Sequence, residues 1–169
     1  MATALYTTKL VDSTHRTLIK IVGTGGGDAN AVLIDAASLS NALNVNNQLL
    51  GTGTDRKSSY RTTIKRIWGQ AQVALNKYVT LQWKDDSNSP IVTFGTGHFD
   101  YNFDREGMSG AIATPVAANA TGNIIFTSTA TTGDAFTLFI DLKKDNRDYD
   151  AGQTRDPAAF NFGLYDGTH

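Results

Sequence analysis

The chain has 169 residues, a formal net charge of −1 and no cysteine. That length suits one domain with a sizeable core, and the composition excludes disulfide staples, thiol chemistry and a strong overall field toward DNA or an anionic membrane. Glutamate occurs once, at Glu106, against fifteen aspartates, and sixteen glycines accompany abundant threonine, a balance that disfavours long surface helices and suits short strands with tight turns.

In chain order, residues 5–11 predict a weak first strand. Residues 17–22 predict a clearer one, with Thr17, Ile19 and Ile21 on one face and Leu18, Lys20 and Val22 on the other. The glycine-rich stretch 23–28 then reads as the turn of a hairpin whose partner strand is 31–35. Residues 36–43 can hold a single helical turn. Residues 44–59 are polar, contain Gly51 and Gly53, and read as a long loop of the kind that either acts or is disordered.

Residues 60–68 resume strand character, but Ile64 and Ile67 stand three apart, so a β-bulge between them is needed to keep both on one face. Residues 73–83 predict a long strand, 84–90 a turn carrying Asp85, Asp86, Asn88 and Pro90, and 91–94 and 99–103 further alternating stretches. A second long loop, rich in alanine and glycine, covers 104–122. Residues 123–128 and 135–143 predict a final hairpin; in the latter, Phe136, Leu138, Ile140 and Leu142 recur at every second position. The expectation is an all-β, antiparallel β-sandwich or jelly roll of about eight strands with long loops.

The pattern changes after Lys144. Residues 1–144 form the expected sandwich domain and 145–169 an extended C-terminal arm, mixed in charge at first, with Phe160, Phe162 and Leu164 alternating later. Such an arm folds back as an edge strand or pairs with a neighbouring molecule, and truncation after Lys144 is expected to leave a folded domain.

Candidate chemistry is sparse. Residues 107–111, Gly-Met-Ser-Gly-Ala, resemble the Gly-x-Ser-Gly-Gly loop of chymotrypsin-like proteases, with His15 and one of Asp28, Asp35 or Asp55 in the required order. His15 lies too near the N-terminus to leave strands upstream for a first barrel, and Ala111 replaces the last glycine, so no enzymatic activity is expected. Residues 23–28 end in Asp28 where a dinucleotide fingerprint needs glycine. Asp145, Asp148, Asp150 and Gly152 lack the full calcium-loop pattern and read as a solvated acidic tail. Three scattered histidines suggest no zinc site, and no cofactor is expected. Arg56, Lys57, Arg61, Lys65 and Arg66, with Tyr60 and Trp68 nearby, read as a solvated strand face or as a patch that meets an acidic surface such as the aspartate-rich tail of a neighbouring molecule. The near-neutral charge disfavours nucleic acid. Both tryptophans, Trp68 and Trp83, are expected in the core. Residues 1–12 lack a basic stretch followed by an apolar one, so no secretory signal is expected. No apolar run reaches the ~20 residues that span a bilayer, and no membrane partner is expected.

Taken in series, Ile19-Lys20-Ile21-Val22, Ala31-Val32-Leu33-Ile34-Asp35, Ile64-Lys65-Arg66-Ile67-Trp68, Val79-Thr80-Leu81-Gln82-Trp83, Thr121-Gly122-Asn123-Ile124-Ile125-Phe126-Thr127 and Gly133-Asp134-Ala135-Phe136-Thr137-Leu138 resemble the strands of small virion structural proteins of tailed bacteriophages. The likeness covers roughly residues 16–144. It implies a non-enzymatic β-sandwich that decorates or cements the head. A tail or neck position, or a glycan- or receptor-binding module, is the alternative. The implied partners are the major capsid protein or other virion proteins and further copies of the chain, and the implied location is the virion, assembled in the host cytoplasm. The loops 44–59 and 104–122 and the arm are the expected contact regions, with Arg56, Lys57, Arg61, Lys65, Met108, Phe160, Phe162 and Tyr165 as the expected partner-binding residues.

Overall fold

The computed structural model describes residues 3–50, 55–103 and 112–150. The fold is all-β: two antiparallel sheets packed face to face, with one turn of 3-10 helix over Ala36–Ser38. The strands are β1 (Ala4–Asp12), β2 (Arg16–Thr24), β3 (Asp28–Ile34), β4 (Thr62–Gln72), β5 (Val79–Trp83), β6 (Pro90–Phe94), β7 (Gly97–Asn102), β8 (Ile112–Ala113), β9 (Ile124–Ser128) and β10 (Ala135–Lys144). The larger sheet runs β1-β2-β10-β4-β7, with β8 also on β4, and the smaller runs β3-β9-β5-β6.

Alternation builds the core. Ile19 and Ile21 of β2, Phe136, Leu138, Ile140 and Leu142 of β10, and Ile64 and Ile67 of β4 point inward from the larger sheet. Leu33, Ile124, Phe126, Val79, Leu81 and Trp83 meet them from the smaller one. Each such side chain contributes about 1.5–3 kcal/mol by leaving water. The bulge expected in β4 is present: Asp141 stands opposite Arg66 and Leu142 opposite Ile64, so Lys65 is the extra residue. Ile64 and Ile67 are consequently both fully buried.

Both expected hairpins that flank glycine-rich turns are arches instead. β2 pairs with β1 and β10, whereas β3 pairs with β9 across the core. Likewise β9 and β10 lie in different sheets. The two crossing segments run side by side, joined by the Gly25 N–H donating to the Asp134 carbonyl at 2.9 Å. An arch and a hairpin share the same strand alternation, and only the partner of the inward face tells them apart. The long strand expected over 73–83 is also shorter. A turn in which the Lys77 N–H donates to Ala74 O precedes β5, with Asn76 at φ 64°.

The packed body continues past Lys144. Asp145 to Tyr149 turn back on themselves, Tyr149 is fully buried between the sheets' loops, and Ala42 bridges to it. The boundary expected at Lys144 therefore falls within a packed region, and a chain cut there loses a core aromatic. Residues 151–169 lie outside the described residues.

Lys144 itself is buried. Its ammonium donates to Asp12 Oδ1 at 2.5 Å, Ser13 O at 2.7 Å and Ser40 O at 2.8 Å, which uses all three N–H bonds. The contact ties the last strand of the sandwich to the first.

Candidate functional site

β4 begins, and β10 and β5 end, at the same end of the sandwich, because β4 runs antiparallel to β10 and β5 antiparallel to β9. The two long loops and the segment after Lys144 therefore emerge together. Hydrogen bonds knit them: Leu43 N–H to Asp148 O at 2.9 Å, Tyr60 N–H to Thr121 O at 3.0 Å, and Tyr60 Oη to Leu43 O at 2.8 Å. Beneath them Tyr60 and Tyr149 pack with centroids 5.7 Å apart, and Tyr149 Oη donates to Ala36 O at 2.9 Å. Burial raises the Tyr149 phenol well above its ordinary value, so it serves as a neutral donor.

Asp148 is the hub. Its carboxylate accepts from Arg61 Nε at 2.7 Å, Arg61 Nη2 at 3.1 Å and the Arg61 backbone N–H at 2.9 Å. Lys57 Nζ reaches the same carboxylate at 3.3 Å and also donates to Asn47 Oδ1 and Arg147 O. Burial pushes the Asp148 carboxyl up, but the hydrogen bonds from Arg61, its charge and the Lys57 contact outweigh it and hold it below the ordinary carboxylate value. Hydrogen bonding from Arg147 holds Asp145 at about 2. The solvated acidic tail of the sequence reading is thus corrected for Asp148, which is 2% exposed.

Above this network lies a groove of ≈770 Å³ whose walls include Val45, Lys57, Arg61, Val116, Ala117 and Asp148. Val45 is 57% exposed and Val116 fully exposed, so apolar side chains stand at the rim beside paired cations. Lys57 and Arg61 pair with Asp148, and Arg147 pairs with Asp145. The groove thus sets exposed apolar side chains next to the part-exposed Arg61 guanidinium.

The structure brings two of the expected contact residues, Lys57 and Arg61, into this groove. Arg56 lies beside it, paired with Asp35 at 3.1 Å and bridged to Asn44. Lys65 occupies the β4 bulge, where its carbonyl accepts from the Phe103 N–H, away from the groove. Met108, Phe160, Phe162 and Tyr165 lie outside the described residues, as does Ser109 of the protease-like loop. The basic cluster is split among acidic partners within the chain: Lys57 and Arg61 meet Asp148, Arg56 meets Asp35 and Arg66 meets Asp100.

Trp68 departs from expectation. Trp83 is buried, but Trp68 points out from β4, stacked on Phe139 at 5.2 Å and 9°, with the Arg66 guanidinium 4.8 Å from its centroid. Arg66 in turn pairs with Asp100 at 2.7 Å. The residues that sequence reasoning missed are Asp148, Tyr149, Val45 and Val116. Tyr149, the one aromatic among the charges of 143–150, was the available signal. Comparison with models of known protein families finds no match, and comparison with curated proteins finds none either.

Proposed function

We propose that the protein is a non-enzymatic structural component of a tailed-bacteriophage particle, a decoration protein that binds the assembled head through the groove end of the sandwich. The observation that carries the docking role is the convergence of both long connections and the segment after Lys144 on one groove with exposed Val45 and Val116 beside Lys57 and Arg61. The phage attribution rests on the strand resemblance over residues 16–144. The partner is the major capsid protein, contributing an apolar side chain to the Val45–Val116 rim and a carboxylate or carbonyl oxygen to the exposed side of the Arg61 guanidinium, since the Lys57 ammonium already spends its three donors within the chain. A protein that binds the assembled lattice and not free subunits stabilises the lattice by about 2.7 kcal/mol per site at a hundredfold excess over Kd.

Quantitative mass spectrometry of purified particles tests this reading. A copy number in simple ratio to the major shell protein supports it, a ratio matching tail or neck proteins moves the protein to the alternative position, and absence from particles refutes it. A glycan-binding role is the second reading, favoured by the outward Trp68. Against it, Phe139 and Arg66 cover the ring faces that a sugar would need.

A further inference from the structure

An edge strand presents unpaired backbone N–H and C=O groups, and folded proteins blunt such edges with proline, bulges or short length. Two of the four edges here are blunted in this way. β3 has register shifts at Asp28/Ala31 and Val32/Ile34 and carries Asn30 at φ 56°. β6 begins with Pro90, and its pairing slips between Leu81 and Gln82. On the far side of the larger sheet the outer strand is β7, six residues in regular register on β4, with the two-residue β8 beside the start of β4.

β1 is different. It is nine residues, the longest of the outer strands, pairs with β2 alone among the described residues, and keeps regular register from Ala4 to Lys9 before a shift at Leu10. Every residue from Tyr6 to Val11 is exposed, with Tyr6 at 65% and Leu10 at 49%. Leu5 packs against the core and Lys9 Nζ donates to Ser38 O, so one face is partly covered, whereas the face carrying Tyr6 and Thr8 is open and no described residue pairs with the outer edge.

We propose that β1 is a dimerisation strand, which pairs antiparallel with β1 of a second copy about a two-fold axis near Thr7 and joins the two larger sheets into one. The segment is self-complementary. Ala4 to Thr8 carries no charge, and axes at Tyr6, Thr7 or Thr8 place Lys9 opposite Thr3, Leu5 or Thr7, never opposite another Lys9. Asp12 is turned inward to Lys144 and Ser40 and does not reach the new interface. Pairing of identical edges closes on itself, so it yields a discrete dimer and not a fibre. This surface is distinct from the groove, and the dimer stands or falls independently of the docking role.

The absence of cysteine gives a clean test on the full chain. Single variants Y6C, T7C and T8C are oxidised mildly, and only the residue on the axis lies within the Cα separation a disulfide needs. One of the three should therefore cross-link into a species of twice 18.2 kDa while its neighbours do not. Light scattering should give the same mass for the wild type. T7P and T8P remove successive N–H groups, of which one faces β2 and the other the free edge. The outward one should weaken dimerisation at least about tenfold while thermal unfolding is preserved. If both prolines unfold the chain, T8K serves instead, because it sets added cations near the axis without touching the β1–β2 ladder. A wild-type mass of 18.2 kDa at every concentration overturns the proposal. So does a dimer indifferent to these variants.

Discussion

Tyr149 shows what a single side chain can decide. Its ring fills the space between the loop at Ala36–Leu43 and Tyr60, and its hydroxyl satisfies Ala36 O. Tyr149→Phe should cost about 1 kcal/mol and Tyr149→Ala about 3–5 kcal/mol in denaturant titration. Asp12 and Lys144 behave asymmetrically. Asp12 keeps donors from Ser40 and Thr17 when Lys144 is replaced, whereas Lys144 without Asp12 is a buried ammonium left with two carbonyls and the Tyr149 ring but no counter-charge. Asp12→Ala should therefore destabilise more than Lys144→Met, by about 3–5 kcal/mol. Burial raises both carboxyls, yet their hydrogen bonds hold Asp12 and Asp148 below the ordinary value of 3.8 in the folded state. The unfolded chain then binds more protons in acid, so their contribution is complete above that value and is lost as pH falls from it toward the lower folded-state values. Melting temperature should fall steeply below about pH 4, and less steeply for Asp148→Asn. None of these roles was legible in the sequence, because a lone tyrosine or aspartate among charges looks solvated until the chain around it is placed. Six asparagines among the described residues adopt positive φ, and the sequence reading used only Asn88 of them as a turn signal.

Strands were the legible elements. Period-two alternation located β2, β9 and β10 to within a residue or two, and the spacing of Ile64 and Ile67 required the β4 bulge that Lys65 supplies. Connections were not legible. Residues 23–28 satisfy hairpin chemistry, yet they carry the chain to the other sheet, because β10 already occupies the free side of β2. A strand's competition for a partner is a property of the whole topology, and local turn residues do not encode it. Gly122 illustrates an element-level constraint: it sits at φ 84°, and a Cβ there would collide with the Tyr60 carbonyl oxygen. Gly122→Ala should destabilise by more than the about 1 kcal/mol usual for a strained turn, with a readout in thermal melts. Truncation after Lys144 should abolish cooperative unfolding or lower the midpoint strongly, since it removes both Asp148 and Tyr149 from the core. A truncated chain as stable as the full one would contradict that packing.

At the scale of the molecule, two sheets make a rigid body whose strand directions gather the long connections at one end. Sequence reading expects loops 44–59 and 104–122 to be contact regions, but the meeting of their described residues near Asp148 depends on which strands run together, and this is set only by the completed fold. Val116→Asp and Val45→Asp put a charge on exposed rim positions, where surface substitutions leave folding stability within about 0.5 kcal/mol. Attachment to particles should nevertheless fall at least about tenfold, the effect of losing one apolar anchor from a docking site. The most direct test is a cryo-EM map of the intact particle. The density should show the two-sheet body with Val45, Lys57, Arg61 and Val116 pressed against the shell protein. A body seated on the shell by any other face, with this groove open to solvent, would contradict the account.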